Sequence, residues 1–177
     1  SITYLNEIVN RATSLKPNNI LDRLRERIIK GLKHSMDENN PNDGLDIAIC
    51  MIDFEYEYID FAGAHNNLVL VTKDGTVKEL RGDRMPVGLY CRKEKPFVNH
   101  QITFEKGDAI YLFSDGYTDQ FGGPKGTKFR HRNFINLLSD IYTYPMKEQK
   151  DIINRTILEW MDGYDQIDDI TILGVRV

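Results

Sequence analysis

Residues 45–80 constrain this chain more than any other stretch. "LDIAICMID" (45–53) and "YEYIDFAGA" (56–64) are two strand-like runs with a tight connection between them. A parallel pair would need a crossover of a dozen residues or more, so the runs predict a hairpin. "NLVLVTKDGTVKEL" repeats the arrangement as strand, Asp74-Gly75 turn and strand. Both alternate sets of 45–53 are largely apolar, which predicts a strand covered on both faces. Further along, "FVNHQITF" reads as a strand, "EKGD" as a turn and "AIYLFS" as a buried strand.

Helices stand on either side of this block. Residues 2–14 carry Ile2, Leu5, Ile8 and Val9 at helical spacing, and Pro17 disfavours helical geometry at Lys16. Asn19 is the expected cap of a second helix reaching about Ser35, with Ile20, Leu21, Leu24, Ile28, Ile29 and Leu32 as its apolar stripe. Helices are also predicted near 131–140 and over 146–161, the latter carrying Ile152, Ile153, Ile157 and Trp160. The chain closes on acids and a strand, "DDITILGVRV". This order predicts the α+β class, an antiparallel β-sandwich flanked by helices, rather than alternating βαβ units. A helix already in full stride at residue 2, with only Ser1 to cap it, fits a chain cut from something longer.

Bulk properties narrow the function. The 177 residues suit a single domain. A net charge of −4 suggests no nucleic-acid surface. No apolar run of about 18 residues is present, so no membrane span is expected, and no signal peptide opens the chain. Cys50 and Cys91 lie far apart in no metal-binding spacing, which points to free thiols in a reducing cytoplasm.

Two places put carboxylates at the ends of apolar strands: Asp115 after "AIYLFS", and Asp168-Asp169 before "ITILGVRV". An acid there loses solvation unless something compensates it. A divalent cation does so, since Mg²⁺ and Mn²⁺ take oxygen ligands, keep several waters and need few carboxylates. Gly116 would let backbone and water come close. The plainer reading stays open at this point: Asp115 starts a turn, and Asp168 ends a helix-to-strand connection.

Rival chemistries fail on particular residues. "DENNPNDGLD" (37–46) resembles a calcium loop, but Pro41 and Ala48 stand at ligand positions. "SDGYTD" lacks the second acid of an aspartyl-phosphate phosphatase. There is no GxxxxGK[ST] loop and no GxSxG elbow. His34, His65, His100 and His131 show no zinc spacing.

"DIAICMIDFEYEYIDFAGAHNNLVLVTKDG", "MPVGLY", "FEKGDAIYLFSDGYTDQFG" and "DDITILGVRV", in that order, resemble the SpoIIE-type phosphatases. These are the bacterial branch of the metal-dependent serine/threonine protein phosphatases (PPM). The likeness runs over roughly residues 5–177 and implies a sandwich with helices on both outer faces. It implies Asp115 and Asp168 as ligands of a two-metal Mn²⁺ or Mg²⁺ centre, and Asp169 as an acid that hydrogen-bonds behind them. It implies hydrolysis by a metal-activated water, with no protein nucleophile. The implied substrate is a phosphorylated protein, such as an anti-sigma-factor antagonist, with a sensor region upstream.

One motif of the family is absent from the 177 residues: an Asp followed by Gly-His-Gly, whose Asp bridges both metals. The expectation is a C-terminal portion of a phosphatase domain, N-terminally incomplete, with weak metal binding and no turnover. The alternative is a non-catalytic module that binds a phosphoprotein or self-associates. Missing strands would expose sheet edges, which predicts a homodimer that light scattering would reveal.

The basic loop "GGPKGTKFRHR" (122–132) carries Lys125, Lys128, Arg130 and Arg132. It reads as a solvated loop or as a flap steering a phosphorylated substrate. "AGAHNN" (62–67) is expected at a tight turn, "RGDRMPVG" (81–88) as loop with Met85-Pro86 packed on a sheet, and Trp160 in the core.

Overall fold

The structure is a computed structural model and describes residues 2–10, 16–33, 44–89 and 95–177. The elements in chain order are α1 (Ile2–Asn10), α2 (Pro17–Lys33), β1 (Gly44–Leu45), β2 (Ile47–Asp53), β3 (Tyr58–Ala64), β4 (Leu68–Val71), β5 (Val77–Leu80), β6 (Val87–Gly88) and β7 (His100–Thr103). They continue as β8 (Ala109–Phe113), α3 (Gly116–Asp119), β9 (Phe121–Gly122), β10 (Thr127–Lys128), α4 (His131–Ile141), α5 (Met146–Met161) and β11 (Ile172–Arg176). The fold is α+β, and the strands within each sheet pair antiparallel. The chain divides into two compact units, residues 1–67 with 80–103, and 68–79 with 104–177.

The first unit is built on the sheet β2-β3-β7. The predicted hairpin is present, with Ile47 opposite Ala64 and Asp53 opposite Tyr58. Its two strands are not equally covered. β3 is buried almost throughout, whereas β2 is half-buried and Met51 is 44% exposed. The expectation of a doubly covered strand at 45–53 is therefore corrected. Ile20, Leu21 and Leu24 of α2 pack over Ala62 and Ala64 of the central strand, and within β2 this cluster takes in Ile47 and Ile49.

Two further expectations change here. α2 begins at Pro17, so Asn19 lies inside it rather than capping it. Proline suits a first helical turn because its missing N–H would find no partner there anyway. The Lys16 carbonyl accepts from the N–H groups of Asn19 (3.0 Å) and Ile20 (3.3 Å). The stretch 81–88 is not all loop, since β6 pairs with β1, Gly44 opposite Gly88. Met85 and Val87 are buried in the same cluster as Leu21 and Leu24. The tight turn expected at 62–67 is present: a Cβ at Gly63 would stand 2.1 Å from the Asn66 carbonyl oxygen. The predicted ends of both first helices, residue 14 and Ser35, lie outside the described residues, as do His34, Cys91 and most of the calcium-like stretch. Cys50 is a free, half-buried thiol, and burial pushes its pKa up to about 11.

The second unit carries the sheet β11-β8-β4-β5. β8 lies between β11 and β4, with Ile172 opposite Phe113 and Leu68 opposite Leu112. β4 is buried along its length and β8 nearly so. Phe134, Leu138 and Ile141 of α4 and Ile153 and Ile157 of α5 form one cluster with Val69, Val71, Tyr111 and Phe113. Tyr117 packs between Phe129 (5.2 Å between ring centroids) and Phe134 (4.7 Å). Its hydroxyl donates to the Ile153 carbonyl at 2.9 Å. Trp160, expected in the core, is half-buried and set edge-on against Phe129 at 5.4 Å.

Candidate metal centre

The candidate site is built where β8 and β11 meet, both within the second unit. β8 is apolar because it is the buried partner of two strands, and it ends at Phe113. The next residue, Ser114, still pairs with the strand opposite. Its N–H donates to the Thr171 carbonyl (3.0 Å), and its hydroxyl oxygen accepts from the Thr171 N–H (3.0 Å). The same hydroxyl donates to the Asp169 carbonyl at 2.9 Å. One serine thus ties the end of one strand to the start of the other.

Asp115 follows and turns the chain into α3. It occupies the N-cap position with φ −72° and ψ −15°, yet its side chain makes no capping hydrogen bond. An N-cap aspartate ordinarily accepts from a backbone N–H within the first turn. Here only the backbone carbonyl of Asp115 is engaged in that turn, by the Asp119 N–H (2.8 Å) and the Thr118 hydroxyl (3.0 Å). The carboxylate stays exposed.

Gly116 brings the second acid pair alongside. A Cβ at this position would stand 2.4 Å from the Asp169 carbonyl oxygen and 3.4 Å from that of Asp168. A side chain would fill the space through which the two backbones approach. Asp168 is exposed, and its Oδ1 accepts from the Asp169 N–H at 2.7 Å. The Gln166 side-chain amide holds the Asp168 carbonyl at 2.8 Å. The structure thus brings the backbone of Gly116, next to Asp115 in the chain, against the backbone carbonyls of Asp168 and Asp169.

The donor chemistry fits Mn²⁺ or Mg²⁺. Both favour hard oxygen ligands and complete their shells with water, which exposed carboxylates permit. The set is sparse. Among the described residues no group of three or more His, Cys, Asp or Glu side chains could hold a metal ion. Two carboxylates without a cation between them would repel.

The basic loop is mostly a β9–β10 hairpin, with Thr127 opposite Gly122. Lys128 reaches Asp119 at 2.6 Å, one helical turn beyond Asp115. Lys125 is exposed between the two strands, and exposed Arg130 precedes α4 with φ +77°. Two residues at the site were not singled out from sequence. Ser114 stands in the quoted motif beside the aspartate. Gln120 had no signal at all, though it is 0% exposed and hydrogen-bonds the approach to Asp168.

A family model described as Stage II sporulation protein E (SpoIIE) matches residues 2–177. Among solved structures, the SiaA-PP2C domain of Pseudomonas aeruginosa is 27% identical with a TM-score of 0.86, the match covering 99% of this chain and 66% of that one. The phosphatase domain of SpoIIE from Bacillus subtilis, presoaked with manganese, is 17% identical with a TM-score of 0.60, covering 99% of this chain and 71% of that one. The RsbU and RsbW domains of a Mycobacterium tuberculosis protein are 19% identical with a TM-score of 0.70, covering 98% of this chain and 45% of that one. No curated protein matches in sequence.

Proposed function

Because the chain belongs to the SpoIIE family of bacterial PPM-type phosphatase domains, we propose that it supplies one side of the metal centre of a phosphoserine/phosphothreonine protein phosphatase. The observation that carries this is the carboxylate of Asp115 at a helix N-cap it does not use, followed by a glycine that lies against the backbone of Asp168 and Asp169. Asp115 and Asp168 would hold Mn²⁺ or Mg²⁺. When bound, the metal supplies charge neutralisation at the phosphoryl oxygens and an acidified water. The chain's own residues orient the two carboxylates, and Asp169, whose N–H donates to Asp168, steadies the second.

Lys125, Lys128 and Arg130 give the neighbouring loop a positive charge suited to drawing in a phosphorylated protein. The paired Lys128 contributes less of this than Lys125 and Arg130, since Asp119 already neutralises it. The phosphoprotein would be a signalling partner such as an anti-sigma-factor antagonist, in the cytoplasm, under control of a sensor region of the same protein. No helix among the described residues is long and apolar enough to cross a membrane.

Two carboxylates make an incomplete two-metal centre, so the 177 residues alone are expected to turn over no substrate. The sparse donor set also favours a second reading, a non-catalytic phosphoprotein-binding or self-associating module. Hydrolysis of an aryl phosphate with and without Mn²⁺, beside Asp115→Asn, separates these. Mn²⁺-dependent turnover lost in the variant would establish the chemistry and overturn the claim that the site is incomplete. No turnover, with Mn²⁺ still bound through Asp115, would support the proposal. No Mn²⁺ binding would favour the non-catalytic module.

A further inference from the structure

We propose that Gln120 is a positioning residue that holds the Asp168 loop in register with the Asp115 turn, an inference that rests on the metal reading above. Two of the three hydrogen bonds of its side chain go to the segment just before Asp168. Gln120 is fully buried at the C-cap of α3. Nε2 donates to the Asp165 carbonyl (2.8 Å) and to the Phe121 carbonyl (3.1 Å). Oε1 accepts from the Ile167 N–H (3.3 Å). Both ends of one amide thus grip the backbone on either side of Gln166, immediately before Asp168.

The segment it grips has little else to define it. Residues 162–169 are all exposed and belong to no helix or strand. A loop of this kind, free of buried side chains, takes its path from the hydrogen bonds of its backbone. Asp162 and Tyr164 bond the end of α5, and Gln166 and Asp169 bond Asp168 within the loop; beyond these, its backbone is held by two residues that bracket Asp115. Ser114 holds the Asp169 carbonyl on one side, and Gln120 holds Asp165 and Ile167 on the other. Asp115 lies between the two gripping residues, and Asp168 lies between the backbone groups they hold.

Burial sharpens the effect. A buried amide left without partners is costly, so Gln120 favours the one loop path that satisfies it. Its own backbone is equally committed. The Gln120 carbonyl accepts from the Phe129 N–H (2.9 Å) and from the Trp160 indole N–H (3.3 Å). The anchor therefore cannot drift with the loop. Partners hydrogen-bonded to the ligands themselves are worth about 10–100-fold in metal affinity, and a residue that acts through the neighbouring backbone belongs at the lower end of that range.

The test is Gln120→Met, which keeps the length of the side chain and removes all three side-chain bonds. Mn²⁺ affinity, read by electron paramagnetic resonance, is expected to fall about tenfold, and the Ile167 amide to exchange faster with solvent. Trp160→Phe, which removes a bond to the Gln120 backbone only, is expected to leave Mn²⁺ affinity unchanged. A lower Tm with unaltered Mn²⁺ affinity and Ile167 protection would make Gln120 a plain core residue and overturn the inference. If Asp115→Asn and Asp168→Asn also leave Mn²⁺ binding unchanged, the metal reading fails, and the Ile167 amide alone decides the clamp. Should Gln120→Met not fold, the unmodified chain still decides: slow exchange at exposed Ile167 supports the clamp, and exchange at the free-peptide rate contradicts it.

Discussion

Asp115 and Gly116 act as a pair, one supplying a carboxylate and the other the room to use it. Gly116→Ala tests which of two opposed effects is larger. Alanine favours a helix over glycine by about 1 kcal/mol. The added Cβ, however, would lie 2.4 Å from the Asp169 oxygen and 2.9 Å from its carbonyl carbon, both backbone atoms. Overpacking against groups that cannot rotate away costs about 1–3 kcal/mol. The steric term is expected to win, so calorimetry should find a lower Tm for Gly116→Ala; a raised Tm would show that the two backbones are not in close approach. At this scale the acids were legible because each ends an apolar strand. Ser114 and Gln120 were not, because a side chain that bonds backbone far along the chain leaves no periodicity and no spacing.

The hairpins were the most legible elements, and the Asp74-Gly75 turn is a case in point. Gly75 has φ +86°, which glycine adopts without strain. Asp74 accepts from the Thr72 hydroxyl and from the Thr76 N–H at 3.0 Å. The Thr72 hydroxyl, followed by the Thr76 N–H, holds its carboxyl down at about 2. A depressed carboxyl favours the folded state above its ordinary value of 3.8 and loses that advantage as pH falls towards 2. Asp74→Ala is therefore expected to lower Tm at pH 7 and to have little effect at pH 2, a difference that thermal melts at the two pH values would read. An equal shift at both would mean that the turn gains nothing from the charge. Elements of two residues, β1, β6, β9 and β10, escaped the sequence because two positions cannot show an alternation. The half-exposure of β2 escaped it for another reason: apolarity on both faces says what a strand could bury, and the reach of α2 decides what it does.

At the scale of the whole chain, the α+β class followed from the order of elements, and the family from motifs spread along the chain. The match covers 99% of these residues but 66% of the SiaA-PP2C chain. The proposed function requires that Asp115 and Asp168 share a metal ion. The measurement that tests this most directly is a Mn²⁺ titration followed by electron paramagnetic resonance, on the unmodified chain, Asp115→Asn and Asp168→Asn. Weak, saturable binding that either substitution removes is the expected result. Binding that survives both substitutions unchanged, or none in the unmodified chain, would contradict it.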